Sequence, residues 1–157
     1  MMKKFLFIGA IVVLFTGCAS VPVNDSISSN QVKQITTPSD GQAGLYVYRT
    51  KSPVGAALKK DIWVDGKCLG ESARGVFFYQ EVIGDREHTI ATESEFSPNI
   101  LTLNTVSGKN YFVQQYIKAG IVVGGANLKV VDEQTAKAAI QNLSLAQAGT
   151  CSKPIQP

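Results

Sequence analysis

The chain has 157 residues, 45% of them hydrophobic and 17% charged, with 15 basic and 12 acidic side chains. This length suits one domain with one core. The formal charge of only +3 excludes a protein that grips a polyanion by counterion release, so nucleic acid is not an expected partner.

Met1, Met2, Lys3 and Lys4 open the chain, and Phe5 to Phe15 follow as an uncharged run of 11 residues. A helix crossing the roughly 30 Å hydrocarbon core needs about 20 apolar residues, so this run is too short to span but fits the apolar part of a cleavable export signal. No later stretch reads as a stop-transfer segment. The run ends Phe15-Thr16-Gly17-Cys18, where an ordinary signal would end in an Ala-x-Ala site. These four residues resemble the lipobox of bacterial lipoproteins, with Phe15 standing where Leu is usual. The resemblance implies that residues 1–17 are removed, that Cys18 takes a thioether-linked diacylglycerol and that the new amino group is acylated. Each buried methylene is worth about 0.8 kcal/mol, and two lipid signals hold stably where one does not, so this would make the membrane a partner. Ala19 rather than Asp follows the cysteine, which in the same resemblance implies the outer membrane, facing the periplasm. An unmodified thiol in an uncleaved leader is the alternative. Without residues 1–17 the chain has 140 residues and 13 basic against 12 acidic side chains, a net +1 with no basic run.

Residues 18–42 form the acylated end and a tether. Ala19 to Gly41 are rich in Ser, Asn, Asp and Thr, with Pro22 and Pro38 as breakers. A flexible coil of this length has a reach of about 25 Å, enough to clear the head groups.

Residues 43–151 are expected to be an all-β sandwich of about 7 to 8 short antiparallel strands with one C-terminal helix docked on the sheet. The strands fall near Gly44–Arg49, Asp61–Val64, Lys67–Leu69, Val76–Val82, His88–Glu93, Ile100–Val106, Tyr111–Lys118 and Ala126–Val131. Asp65-Gly66 sits between two of them and predicts a hairpin through a type I′ turn, which needs positive φ at both central residues. Ser107-Gly108 and Gly124-Gly125 mark two more turns of that kind. Leu101, Leu103 and Thr105 alternate with Thr102, Asn104 and Val106, so one face should be buried. Asp132 is a good N-cap, Glu133 suits a first turn, and Ala136, Ala139, Ile140, Leu143 and Ala146 form one stripe, predicting a helix over 132–148 that Gly149 ends. Residues 152–157 are a tail.

The segments "GLYVYR", "IWVDGKCLGE", "VFFYQEV", "EHTIATESE" and "KNYFVQQYI", in that order, resemble a domain-of-unknown-function family of bacterial lipoproteins. That family is similar to small PEGA-type β-sandwich modules, built as an apolar strand, Asp-Gly, a return strand ending in Gly, and later a Pro-Gly-x-His turn. The resemblance spans about residues 43 to 132 and concerns turns and core positions. Gly84-Asp85-Arg86-Glu87 replaces the shorter Pro-Gly turn, so the loop before His88 should be longer here.

With Cys18 acylated, Cys68 and Cys151 are the remaining pair, and in an oxidising periplasm they are expected to form a disulfide. Such a bridge would close a loop of roughly 80 residues and contribute on the order of 4 kcal/mol. Two unrelated thiols or a reactive thiolate are the alternatives. His88 is the sole histidine, so any Ser-His-Asp or Cys-His device must use it, yet the resemblance implies a structural strand-opening role for it. No close ligand pair such as C-x-x-C accompanies these residues, so neither a metal nor a cofactor is expected. "GIVVGGANL", Gly120 to Leu128, lacks the Lys-Ser/Thr ending of a phosphate cradle and reads as a glycine-rich hairpin. Glu93 and Glu95 lie two apart on one strand face, as a glycosidase pair might, or as a solvated edge that discourages aggregation.

Tyr46, Tyr48 and Trp63 are the candidate binding surface, for a glycan, a peptide or a partner protein of the envelope; filling the core is their other reading. Two function classes follow. The expected one is a lipid-anchored, non-enzymatic binding or accessory module of the cell envelope. The alternative is a small periplasmic hydrolase-like enzyme acting through Cys68 or His88.

Overall fold

The computed structural model describes residues 19–118, 120 and 124–154. The leader and Cys18 lie outside the described residues, as do Ile121 to Val123 of the glycine-rich stretch. In chain order the elements are α1 (Ser26–Val32), β1 (Gln42–Arg49), β2 (Lys60–Val64), β3 (Lys67–Ser72), β4 (Val76–Ile83), β5 (Glu87–Thr92), β6 (Asn99–Asn104), β7 (Asn110–Lys118), β8 (Gly125–Val131), α2 (Glu133–Ile140) and β9 (Ser144–Leu145).

All eight expected strands are present, and they form a sandwich. One sheet has the order β8-β7-β1-β4-β9 and the other β3-β2-β5-β6. The β2–β3 hairpin turns at Asp65 (φ 49°) and Gly66 (φ 75°), the pair of positive values a type I′ turn demands. At Ser107-Gly108 only the glycine is left-handed, and Gly125 already belongs to β8, so those two sites are not turns of that kind. Along β6 and just past it, Leu103 and Thr105 are buried while Thr102, Asn104 and Val106 face water, as the alternation predicts.

The core between the sheets is made by Leu45, Val47, Ile62, Val64, Phe78, Ile90 and Val113 with their neighbours. A second apolar layer lies on the far side of the five-stranded sheet. There Tyr46, Tyr48, Phe77 and Phe112 are covered by Ile35, Ala136, Ile140 and Leu143. β1 is therefore buried on both faces, which is why "LYVY" reads as a continuous apolar run rather than an alternation.

Not every pairing is antiparallel. β1 runs parallel to β7, with Leu45 opposite Tyr111 and Val47 opposite Val113, and β4 runs parallel to β9. Between β4 and β7 the chain visits the other sheet through β5 and β6. That excursion is long enough to return β7 in the direction of β1, which a tight hairpin cannot do.

Two further expectations are corrected. The segment 19–41 is not a free coil. Asp25 caps α1 by accepting from the Ile27 and Ser28 amides, Val23 bridges Ala146, and the Asn24 amide donates to the Leu145 carbonyl at 2.8 Å. Its serines and asparagines serve as caps and bridges: Ser29 is buried and its hydroxyl receives the Leu145 amide. Likewise α2 stops at Ile140 instead of continuing to residue 148. Leu143 and Ala146 are buried as expected, but by an extended chain, because Ser144 and Leu145 pair with Val76 and Phe77. Gly149 (φ 90°) then turns the chain so that the Glu71 amide can donate to the Thr150 carbonyl.

Candidate functional site

The three aromatic residues that form the candidate binding surface are interior, which is their other reading. Tyr46 is 2% exposed and Tyr48 1%. The Tyr46 ring stacks on Phe112 with centroids 5.1 Å apart and leans on Tyr79 at 4.6 Å, while its hydroxyl donates to the Val32 carbonyl of α1. They hold the helices to the sheet, so they are not a binding patch. Burial raises the Tyr46 phenol, with the nearby Tyr79 and Glu81 adding to it; burial likewise raises Tyr48, with Asp132 adding. Tyr79 is pushed up to about 12, by burial first and then by Glu81. A group raised on folding stabilises the fold below its unfolded value and loses that contribution as pH climbs through its folded value. The domain should therefore hold its stability to about pH 10 and lose it steeply above that. Phenolate absorbance from these tyrosines should appear together with loss of near-ultraviolet circular dichroism. Ionisation with the fold intact would contradict the burial.

Trp63 lies on the outer face of the four-stranded sheet and is 3% exposed because the C-terminal tail crosses it. That tail is fixed at several points. Cys151 is bonded to Cys68, 83 positions away in sequence, with the two α-carbons 6.0 Å apart. The buried Asp61 carboxylate accepts from the Ser152 hydroxyl and the Lys153 amide, both at 2.9 Å. The Lys153 ammonium meets Glu93 at 3.1 Å. Beside Trp63 this leaves an open cleft of about 220 Å³, bordered by Glu93, Ser94, Glu95, Phe96 and Lys153. β5 ends at Thr92, so Glu93 and Glu95 are loop residues rather than a solvated strand face. Glu93 also receives the Asp61 amide at 3.0 Å, and it is occupied in holding the tail.

His88 sits at the opposite end of the sandwich and is 3% exposed. Its Nδ1 lies 2.6 Å from the Asp65 carboxylate and its Nε2 2.7 Å from the Ile83 carbonyl. Asp65 is the left-handed residue of the hairpin turn, and its other oxygen receives the Thr89 amide. Burial works to raise the Asp65 carboxyl, but the hydrogen bonds from His88 and Thr89 outweigh it and hold the group below the usual carboxylate range. Both ring nitrogens face protein acceptors, so the histidine clips the β2–β3 turn to the end of β4. Neither nitrogen is directed at a nucleophile: Cys68 is in the disulfide.

Arg49 was not legible as a special residue. It is buried at the end of β1 and donates from Nη1 to the Leu58 carbonyl at 2.8 Å and from Nη2 to the Gly55 carbonyl. Burial draws its guanidinium below the usual arginine value. The loop it fixes, residues 51–59, also receives the start of the described chain: the Ala19 amide donates to the Ala56 carbonyl at 3.1 Å. An arginine ending an apolar strand was the available signal.

Among the described residues no group of three or more His, Cys, Asp or Glu side chains is placed to hold a metal. Residues 39–126 match the family described as Protein of unknown function (DUF2846). The chain is 49% identical over 136 residues to an uncharacterized protein of Haemophilus influenzae, covering 87% of this chain and 80% of the relative. No solved structure matches. The family match takes in β1 to β7 and Cys68, and stops before α2 and Cys151. With more than half of its length in that match and a relative at this identity, the chain belongs to the DUF2846 family of proteins of unknown function.

Proposed function

We propose that this protein is a lipid-anchored, non-enzymatic accessory module of the cell envelope, acylated on Cys18, facing the periplasm from the outer membrane, and serving a partner protein or glycan there. The observation that carries the reading is the Cys68–Cys151 disulfide. Such a bridge persists in exported proteins and is rare where thiols are kept reduced. It agrees with a leader that ends at Gly17-Cys18. The groups that a hydrolase would have used also speak for a structural role: Cys68 is bonded and His88 has an acceptor on each ring nitrogen.

The test is acylation. Cells fed labelled palmitate should yield a labelled protein whose N-terminal peptide begins at an acylated Cys18, and Cys18→Ala should abolish the label and retain the leader. An unlabelled protein found freely dissolved would overturn the anchor.

A further inference from the structure

We propose that the domain is seated directly on the bilayer, with the end of the sandwich formed by residues 51–59 and 93–100 in the phospholipid head-group layer. This rests on the acylation of Cys18 proposed above and specifies what surface the anchored domain meets.

The argument is one of chain length. Cys18 and Ala19 are joined by one peptide bond, and consecutive α-carbons are about 3.8 Å apart. The Ala19 amide is held at 3.1 Å by the Ala56 carbonyl. A bilayer is about 40–45 Å thick over a hydrocarbon core of about 30 Å, so each head-group layer is only about 5 to 8 Å deep. A diacylglycerol on Cys18 therefore brings Ala56 to that layer. Should the Ala19 hydrogen bond open, the next fixed point is Pro22, whose carbonyl accepts from the Gln147 amide at 3.0 Å. The released residues 19–21 add at most about 11 Å when fully extended, well short of the reach of about 25 Å of a free coil running to Gly41.

The receiving surface is built and continuous. Arg49 holds the 51–59 loop from beneath by the Leu58 and Gly55 carbonyls. Gly55 lies so close to Ile117 that a Cβ would overlap it, Gly124 meets Leu58 in the same way, and Gly125 meets Ser94 of the neighbouring loop. Within these segments Val54 is 58% exposed, Phe96 80% and Ile100 68%, and Lys51 and Lys118 are also exposed. Apolar side chains among lysines are the composition that lies in a membrane interface, the rings and methyls entering between lipids and the ammonium groups meeting phosphate. Ile83 and Val106 are exposed at the other end. Apolar exposure alone thus does not choose between the ends, and the position of the acylated residue does.

The experiment uses the processed full chain, reconstituted in phosphatidylethanolamine and phosphatidylglycerol vesicles that contain a lipid with a nitroxide near the head group. Val54→Trp and Phe96→Trp should each add fluorescence that the nitroxide largely removes, and Ile83→Trp should add fluorescence that survives; the unsubstituted protein gives the Trp63 background. Amide exchange in residues 51–58 of the unsubstituted chain should slow on vesicles relative to a dissolved chain that lacks residues 1–18. Weak, equal quenching at all three positions with unchanged exchange, in a chain whose mass shows an acylated Cys18, would overturn the seating and leave the anchor standing. A chain without acyl mass would overturn the anchor itself.

Discussion

Replacing Cys151 with serine should lower the stability of the folded domain by about 4 kcal/mol, the loop-closure value for a bridge across a loop of this length. The bond joins positions 83 apart and ties the tail to β3. Much of the effect lies in the unfolded chain, which gains the freedom that the bridge denied it. The folded state also loses order, because Asp61 and Glu93 must then hold Ser152 and Lys153 without a covalent stop. Urea midpoints measured with and without reductant on the wild type, and on Cys68→Ser and Cys151→Ser, should show the two variants and the reduced protein alike, since all three lack the same bond. Trp63 reports the second effect: release of the tail should shift its emission to the red before any unfolding. Coincident midpoints for the oxidised and reduced wild type would mean that the bond does not constrain the chain.

Most of the strand positions were legible because they rest on local chemistry. Asp65-Gly66 sets its own hairpin, and a helix was readable from Asp132 onward because that residue caps it, accepting from the Thr135 amide. What failed depended on contacts distant in sequence. Val23 and Asn24 find partners at Leu145 and Ala146, across more than three quarters of the chain, so a polar composition that suits a coil became a docked segment. The same contact explains α2, whose expected stripe was correct for burial at Leu143 and Ala146 and wrong for conformation, because β4 had an open edge for β9. The aromatics left a surface and a core reading open for another reason. Alternation marks a strand with one wet face, and Tyr46 and Tyr48 stand on a strand with none. The run Leu45 to Tyr48, apolar at every position, carried the signal that both faces are covered. At the site, the Cys68–Cys151 bridge that ties the tail to the first hairpin was legible, but the tail's path over Trp63 was not, since it also needs Asp61 and Glu93 to converge on Ser152 and Lys153.

His88→Ala should cost about 2 to 4 kcal/mol of stability, the range for a buried ring whose removal leaves a cavity and strands hydrogen-bond partners. Asp65 would lose a hydrogen-bond partner at 2.6 Å and Ile83 one at 2.7 Å. Asp65 is partly exposed and the Thr105 hydroxyl also reaches the Ile83 carbonyl, so water and that hydroxyl recover part of the loss. The acid limb of stability identifies the source of the effect. Asp65 is depressed on folding, so its contribution is complete above the ordinary carboxylate range near pH 4 and vanishes as pH falls through its lower folded value. Without His88 that depression shrinks, and the variant should lose less stability between about pH 4 and pH 2 than the wild type does. Denaturant midpoints across that range give the comparison. A catalytic histidine would behave otherwise: its replacement would abolish an envelope phenotype while leaving both the neutral midpoint and the acid limb unchanged. That outcome would remove the structural role assigned to the clip between Asp65 and Ile83 and restore the hydrolase.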